Sequence, residues 1–332
     1  MDANREGSTA RPGWLRVMAV ALLALAGSVV AHAAGYPERP VTLIVPGPPG
    51  GSGDITARLL AKELAAGWGQ PVLVENRPGG GGIVGAQALL RAPADGYTLM
   101  MGNTGVNAIN YSLYPKLPYT PADMAGIADV LVFSNVLVVK ADSPARSVAD
   151  LKRLAAARPG GLAFSSSGIG QTTHLSGELF KLRTGIEALH VPYKGANLGL
   201  AAVMSGEVAF MFDNLPSAEG QLRAGTVRAL AVTGAERVAA LPQVPTMAQA
   251  GVDDFVVTGW FGLVARAGTP QAVIDAVHQA VATILARKEF GQRLQQLGGR
   301  PGVLGPAAFD AFMRSEREQW GKAVKASGAT AE

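Results

Sequence analysis

The sequence predicts an α/β protein of two lobes, each built on a parallel-rich sheet flanked by helices. The first observation behind this is a repeated phrase. From Tyr36 onward a short β-branched run is followed by a glycine-rich turn and then by a helical pattern. Alternation of this kind gives parallel strands joined by crossover helices. The second is that the phrase comes in two sets, after which the chain returns through a long apolar strand and a helical end. The third is composition: 48% hydrophobic and 16% charged residues, with 42 glycines and 21 prolines scattered between apolar runs. Such a chain buries large cores and needs many tight turns, and disorder is excluded.

Residues 41–45 read Val-Thr-Leu-Ile-Val, the continuous apolar run of a strand covered on both faces. Pro46 to Gly53 cannot extend it. Asp54 opens a helix over 55–66, in which Ile55, Leu59, Leu60 and Leu64 hold one stripe and Gly67 marks the stop. A strand follows at 71–75, a helix at 83–91 and a third strand at 97–101, introduced by the Asp95-Gly96 turn. The second set has strands at 136–140, 162–165, 190–193, 208–212 and 227–233. Its helices lie at 148–157 behind Ser147, at 172–184 and at 198–205. An apolar strand at 256–264 leads into helices at 271–287, 290–297 and 306–325, with Pro270 and Pro306 at first-turn positions where a missing N–H costs nothing. Lobe 1 is expected over residues 34–135 plus 260–332 and lobe 2 over 136–259. With no low-complexity linker, the chain is expected to cross between them near 131–140 and 258–264.

Before the first strand, Arg11 and Arg16 precede an apolar run over 17–30, and Ala31-His32-Ala33 follows. A basic region, an apolar stretch of this length and a small-x-small site form a secretory signal peptide over 1–33, cleaved near Ala33/Ala34, and the mature protein is expected in the periplasm. The run is shorter than the roughly 20 residues needed to span a bilayer.

Cysteine is absent, so disulfides, thiolate chemistry and cysteine metal sites are impossible. The formal net charge of +4 becomes +3 without the leader, which carries Arg5, Arg11 and Arg16 against Asp2 and Glu6. There is no basic run, so nucleic acid is a poor partner, whereas a small anion remains compatible.

Several stretches, in order and over essentially the whole mature chain, identify a family. They are Tyr36-Pro37-Glu38-Arg39-Pro40, Glu75-Asn76-Arg77-Pro78-Gly79, Ala94-Asp95-Gly96-Tyr97-Thr98-Leu99 and His190-Val191-Pro192-Tyr193-Lys194-Gly195. Further on come Gly206-Glu207-Val208, Leu241-Pro242-Gln243-Val244-Pro245-Thr246 and Gly268-Thr269-Pro270. Together they resemble the substrate-binding proteins of tripartite tricarboxylate transporters, the Bug family. The resemblance implies a type II, Venus-flytrap periplasmic binding protein, a monomer without cofactor or metal. Its implied partners are membrane transporter subunits and a small carboxylate ligand, whether a di- or tricarboxylate, an aromatic acid or an amino acid. Two departures from the family pattern stand out. The first ligand loop usually reads Pro-Phe-x-x-Gly-Gly-x-x-Asp, but here Gly47, Pro48 and Pro49 follow Pro46. The second usually has Gly-Ser before its helix, but here Gln171 follows Gly170.

Two loops carry the expected carboxylate cradle. Gly50, Gly51 and Ser52 precede the Asp54 helix, where unpaired N–H groups and a positive dipole end meet a backbone that a ligand can approach closely. Asp54 itself reads as a helix cap, because a bare carboxylate repels an anion. The counterpart is the segment 165–174, from which Ser167, Gly168, Gln171 and Thr172 are expected contacts and His174 a helix-packing residue. Asn103 and Thr104 close the third strand, and Asp213 closes the strand at 208–212, each against the alternative of an ordinary turn.

Gly80, Gly82 and Gly85 satisfy a dinucleotide-like G-x-G-x-x-G after a strand, but Pro78 and extra glycines lengthen the turn and no acidic residue ends the next strand. Arg77 reads as a structural pair. G-x-S-x-G, H-E-x-x-H and a Walker lysine are all missing, and a Ser167, His174 and Asp213 triad is the strongest enzyme alternative. The expectation is a non-enzymatic receptor. A receptor for a sensor kinase and a secreted hydrolase stand as its alternatives.

Overall fold

β1 (Val41–Val45) lies between two parallel neighbours, β2 (Val72–Asn76) and β3 (Thr98–Asn103), which is why its side chains are apolar without alternation. The computed structural model describes residues 35–331, so the leader and its cleavage site lie outside the described residues. Two units are distinguished, Met1–Tyr36 and Pro37–Glu332, and every element named below belongs to the second.

The sheet runs β2-β1-β3-β9-β4-β7-β5-β6. In its first half, β9 (Thr258–Arg266) joins β3 antiparallel, with Gly102 opposite Gly262, and then pairs antiparallel with β4 (Met124–Lys140). The short strand β10 (Gly299–Pro301) covers the other side of β4 at Leu131–Phe133. In the second half, β4 pairs on one side with β7 (Phe210–Asn214) and on the other with β8 (Val227–Val232). β5 (Leu162–Ser166) continues parallel to β7, and β6 (Ala188–Pro192) parallel to β5. The expected α/β class with parallel-rich sheets is present, with antiparallel pairing confined to β4 and β9 and the strands that lie against them.

One strand thus serves both halves. Met124 to Ser134 of β4 pairs with β9, and Asn135 to Lys140 pairs with β7 and β8. The sequence reading started this strand at 136. Its first twelve residues escaped because Gly126, Ala128 and Asp129 interrupt the apolar run, and the structure places two register irregularities there. Beside the changeover, Asn135 N–H donates to Thr233 Oγ1 at 2.9 Å and Thr233 N–H returns a bond to Asn135 O at 2.9 Å. Thr233 Oγ1 also donates to Val257 O at 2.6 Å, and Val257 N–H donates to Thr233 O at 2.9 Å. The two passages between the halves are tied together at this buried node.

Helices cover both faces. α1 (Ser52–Trp68) and α2 (Ile83–Arg91) follow β1 and β2, and a π-type turn with α3 (Asn110–Leu113) follows β3. In the second half come α4 (Val148–Ala156), α5 (Thr172–Thr184), α6 (Ala196–Ser205) and α7 (Leu215–Arg223), the last not anticipated from sequence. α8 (Gln271–Leu285), α9 (Lys288–Gln296) and α10 (Pro306–Ser327) complete the chain. Val136 and Val138 of β4 face the core beneath α6, while Leu137 and Val139 face Phe164, Phe180, Phe210, Phe212 and Phe255 on the other side. α10 is anchored by Glu316, whose carboxylate accepts from the indole N–H groups of Trp260 and Trp320. Its C-terminal half reaches the second-half core through Trp320 and Val324. Among the described residues no helix is long and apolar enough to cross a membrane.

Gly177 in the middle of α5 decides between two opposed effects. Alanine in a helix interior is favoured over glycine by about 1 kcal/mol. A Cβ at this position, however, would lie 2.0 Å from Phe164 Cε2, inside a ring stacked between Phe210 and His190. Overpacking of that kind costs about 1–3 kcal/mol. Gly177→Ala is therefore expected to lower the urea midpoint, and a raised midpoint would show that Phe164 yields freely.

Candidate functional site

The parallel strands β1, β2, β3, β5, β6 and β7 all deliver their C-terminal ends to one cleft of about 590 Å³. This is where an open α/β sheet binds ligands, because helix N-termini and turn N–H groups converge there. The first half contributes the turn from Pro46 to Asp54, the glycines 79–82, Met101, Asn103, Tyr114 and Phe261. The second half contributes Ser167, Gly168, Ile169 and Gln171, then Pro192 to Ala196, then Asn214. A larger groove of about 990 Å³ lies beside α7 and β8, away from these strand ends.

The walls are nearly free of charge. Lys194 is the cation of the lining and Asp54 its carboxylate. Asp54 is occupied: its Oδ2 accepts from Gly50 N–H at 2.9 Å, and Arg58 pairs with it at 2.9 Å. Burial alone would raise its pKa, but the bonds from Arg58, Gly50 and Asn76 together with the Arg58 charge outweigh this and hold the carboxyl below its ordinary value. The acid thus caps the turn before α1 and its charge is answered by Arg58. Above it, the first turn of α1 faces the cleft with glycine at the N-cap and no side-chain cap.

Two side-chain bonds cross between the halves. Asn214 Nδ2 donates to Ser52 Oγ at 2.9 Å, and Gln171 Nε2 donates to Gly81 O at 3.1 Å. The backbones also approach closely. A Cβ at Gly195 would lie 2.5 Å from Pro48 Cγ, and one at Gly105 would lie 2.7 Å from Gln171 Nε2. Pro48 and Gln171, two of the residues by which the loops depart from the family pattern, stand where the halves touch.

Six of the ten candidate residues line the cleft: Gly51, Ser52, Asn103, Ser167, Gly168 and Gln171. The other four do not. Gly50 turns its N–H to Asp54. Thr104 is buried, with Oγ1 accepting from Trp260 N–H at 3.0 Å. Thr172 is buried behind the wall, and its Oγ1 donates to Asn214 Oδ1 at 3.0 Å, which orients the amide that reaches Ser52. Asp213 is fully buried, accepting from Ser217 Oγ at 2.8 Å and from Asn214 N–H at 2.8 Å.

The enzyme constellation is not assembled. Ser167 Oγ pairs with Thr173 Oγ1 at 2.8 Å, while the ring of His174 stacks on His190 with centroids 4.1 Å apart. His190 does lie 2.7 Å from Ser166 Oγ, but Ser166 is fully buried and no substrate reaches it. Burial lowers the pKa of His174 to about 4 and of His190 to about 3, so both rings are neutral near pH 7. The glycine run after β2 also differs from a dinucleotide turn. Gly79 to Gly82 all take positive φ, and Gly81 O accepts from both Gln171 and Asn110. Carbonyl oxygen is engaged there, not a row of free N–H donors.

The chain matches the model of the tripartite tricarboxylate transporter family receptor over residues 56–329. It belongs to that receptor family. Among solved structures, the receptor is similar to Rpa4515 of R. palustris with adipate, at a TM-score of 0.87 and 38% identity, covering 89% of this chain and 99% of that one. It is similar to the periplasmic binding protein BugD at a TM-score of 0.84 and 31% identity, over 90% of this chain and 100% of BugD. It is also similar to MatC of Rhodopseudomonas palustris with bound malate, at 0.82 and 30%, over 87% and 100% of the two chains. The two-lobe binding-protein fold follows, and the family is one of binding receptors.

The sequence reading of the receptor missed Asn214, Tyr114, Phe261 and the stretch from Pro192 to Ala196 as lining. For the last a signal existed: it joins a parallel strand to a helix, as the two chosen loops do. For Asn214 the signal was strand alternation, since neighbours on β7 face opposite sides and only one of Asp213 and Asn214 can look into the cleft.

Burial raises the Asp213 pKa to about 7, against the lowering by Ser217 and Asn214. The folded receptor therefore holds this proton more tightly than the unfolded chain does. Stability from this group is full below pH 4 and is lost as pH rises through 7, by up to roughly 4 kcal/mol. Asp213→Asn should remove that slope, so the difference in melting temperature, wild type minus variant, is expected to fall between pH 4 and 8. A flat difference would place the carboxyl at its ordinary pKa.

Proposed function

We propose that the chain is an exported periplasmic receptor that captures a small carboxylate-containing ligand between two lobes. It delivers that ligand to a tripartite tricarboxylate-type membrane transporter and catalyses no reaction. One observation carries the reading: the cleft draws uncharged donors from both halves of the sheet, while its single carboxylate is already neutralised by Arg58. Backbone N–H groups at a helix start, amides and hydroxyls suit an anion held by many fixed dipoles. The lobes are assigned to residues 34–135 plus 260–332 and to 136–259, and the Asn135–Thr233–Val257 node serves as the hinge between them. Ser52, Asn103, Ser167, Gly168 and Gln171 touch the ligand, with Gly51 giving close backbone approach. Thr172 acts through Asn214, and Gly50, Thr104 and Asp213 hold the loops in place. Rpa4515 with adipate and MatC with malate support a ligand of this class.

The identity of the ligand is tested by mass spectrometry of what freshly purified protein releases, followed by calorimetry with adipate, malate and aromatic acids. A small carboxylate bound one per chain is expected, and binding of none of these classes would overturn the reading. Gly51 has ordinary extended dihedrals, and a Cβ there meets nothing closer than 3.5 Å. Gly51→Val should therefore abolish binding with an unchanged melting curve, whereas normal binding would remove this loop from the site. Thr172→Val should weaken binding by about 1 kcal/mol, the scale of one hydrogen bond.

Donors from both lobes satisfy the carboxylate only when the lobes are together, so the ligand favours the closed arrangement. Small-angle scattering should show a smaller radius of gyration at saturating ligand. An unchanged profile, with binding confirmed by calorimetry, would mean a rigid site.

A further inference from the structure

We propose that the groove beside α7 and β8 is a docking site for an extended, acidic segment of a partner protein, which adds there as a strand to the edge of β8. The inference goes beyond the proposed function and does not depend on which ligand fills the cleft. β8 pairs with β4 along one edge. On its other edge a single parallel bridge joins Val232 to Thr246. From Val227 to Leu230 that edge has no neighbouring strand among the described residues, and Val227, Arg228, Ala229 and Leu230 all line the groove. Successive side chains of a strand point to opposite faces, so a groove lined by consecutive residues opens on the strand edge itself. An open edge presents unpaired N–H and C=O groups and is a template for another extended chain.

The edge is recessed between two layers. The start of α4 stands over one face of β8, where Val148 and Leu230 share a buried cluster. α7 stands over the other face, where Leu215 and Val227 share a second cluster with Leu222 and Leu241 packed against it. A slot of this form, about 990 Å³ in volume, admits one extended chain and shuts out a flat lipid surface. Charge then names the chemistry of the occupant. The lining carries Arg146, Arg223, Arg228 and Arg293, with Glu219 as its acid. Arg228 is committed, since its guanidinium donates to the carbonyls of Ala141, Ser143 and Ala145. Arg223 lies 3.3 Å from Glu219 and stays largely exposed. Arg293 donates to Gln296 Oε1 at 3.1 Å, a neutral partner. Asp150 accepts from Arg146 N–H at 3.0 Å, but its charge is paired with Arg153. The guanidinium groups of Arg146 and Arg293 are thus left for carboxylates from outside, which the arginine fork matches in two-bond geometry.

The test is fluorescence anisotropy of the mature receptor with a labelled peptide of valine pairs alternating with glutamate pairs. That order puts both residue types on each face of a strand. Saturable binding of one peptide per chain is expected. The Arg146→Glu/Arg293→Glu double variant should weaken binding by about tenfold or more, the scale of a lost charge-assisted hydrogen bond. Both side chains are exposed, so the melting curve should not move. The same peptide N-methylated at its valines keeps its charge but cannot pair along either edge, and a comparable loss is expected. Absence of saturable binding by the wild type overturns the proposal. Equal binding by the double variant does so too, because it places the peptide elsewhere, the cleft included. Equal binding of the methylated peptide would show attraction by charge without strand addition, and also overturns it. Sedimentation of the wild type with phosphatidylglycerol vesicles, where the peptide fails to bind, would assign the arginines to a membrane surface instead. Neither substitution touches the cleft, so failure here leaves the proposed function standing.

Discussion

Everything in the cleft is positioned by the way β4 is shared. A single strand of 17 residues gives its first part to one half of the sheet and its last part to the other. At the changeover, two hydrogen bonds join Asn135 to Thr233 and two more join Thr233 to Val257 on the returning chain, all of them buried. Buried backbone groups at such a point must be paired, and the Thr233 hydroxyl pairs two of them, from different segments, that regular strand bonding would leave open. Both passages between the halves are therefore held side by side. Under the proposed function, motion of one half against the other is rotation about this line, without shear across the sheet.

From that constraint the electrostatics of the cleft follow. Parallel strands on both sides aim their C-terminal ends, and the N-termini of the helices that come next, at a shared space. The positive ends of those helices already favour an anion, so further cations are not needed for attraction. Charge in the wall would carry a desolvation cost of its own once the cleft shuts. The acid of the lining, Asp54, is occupied by Gly50 and by Arg58, which also reaches Asn76 at 3.1 Å. A cradle of amides and turn N–H groups leaves ligand size and shape to the residues around it, of which Tyr114, Tyr193 and Phe261 are the bulkiest.

The order of elements was legible because each strand and helix carries its own periodicity and its own stop. β1 announces itself as an unbroken β-branched run, and α1 as a stripe of Ile55, Leu59, Leu60 and Leu64, although the helix passes through Gly67, the expected stop, and ends at the left-handed cap Gly69. The first part of β4 was not legible. Gly126 has Phe309 packed against it and Asp129 accepts from Leu304 N–H, so these residues are explained by α10 and the segment before it, far away in sequence. In the site, loops that join strand to helix could be recognised, yet the direction of each side chain could not. Thr104, Thr172 and Asp213 lie in the right loops but point into the core, where their polar atoms brace Trp260, Asn214 and Ser217. Direction depends on register and on what packs behind, and both are tertiary properties.

The departures from the family pattern acquire a physical meaning at the seam. Pro48 rests against Gly195, and Gln171 spans to Gly81 and lies over Gly105. Each direct bond across the cleft is worth about 0.5–1.5 kcal/mol net, so the two together favour contact between the lobes only modestly. A ligand that pairs with donors on both sides need supply only the remaining difference to shift the population. The stiff proline turn reduces the conformations that the first loop must give up on closing. Gln171 adds a bond that shortens the reach between lobes, and it occupies volume that a bulkier ligand would otherwise fill. Under the proposed function, these residues trade breadth of ligand for ease of closure. That trade-off follows from where they sit, at the contact between lobes and not at the helix starts that hold the charge.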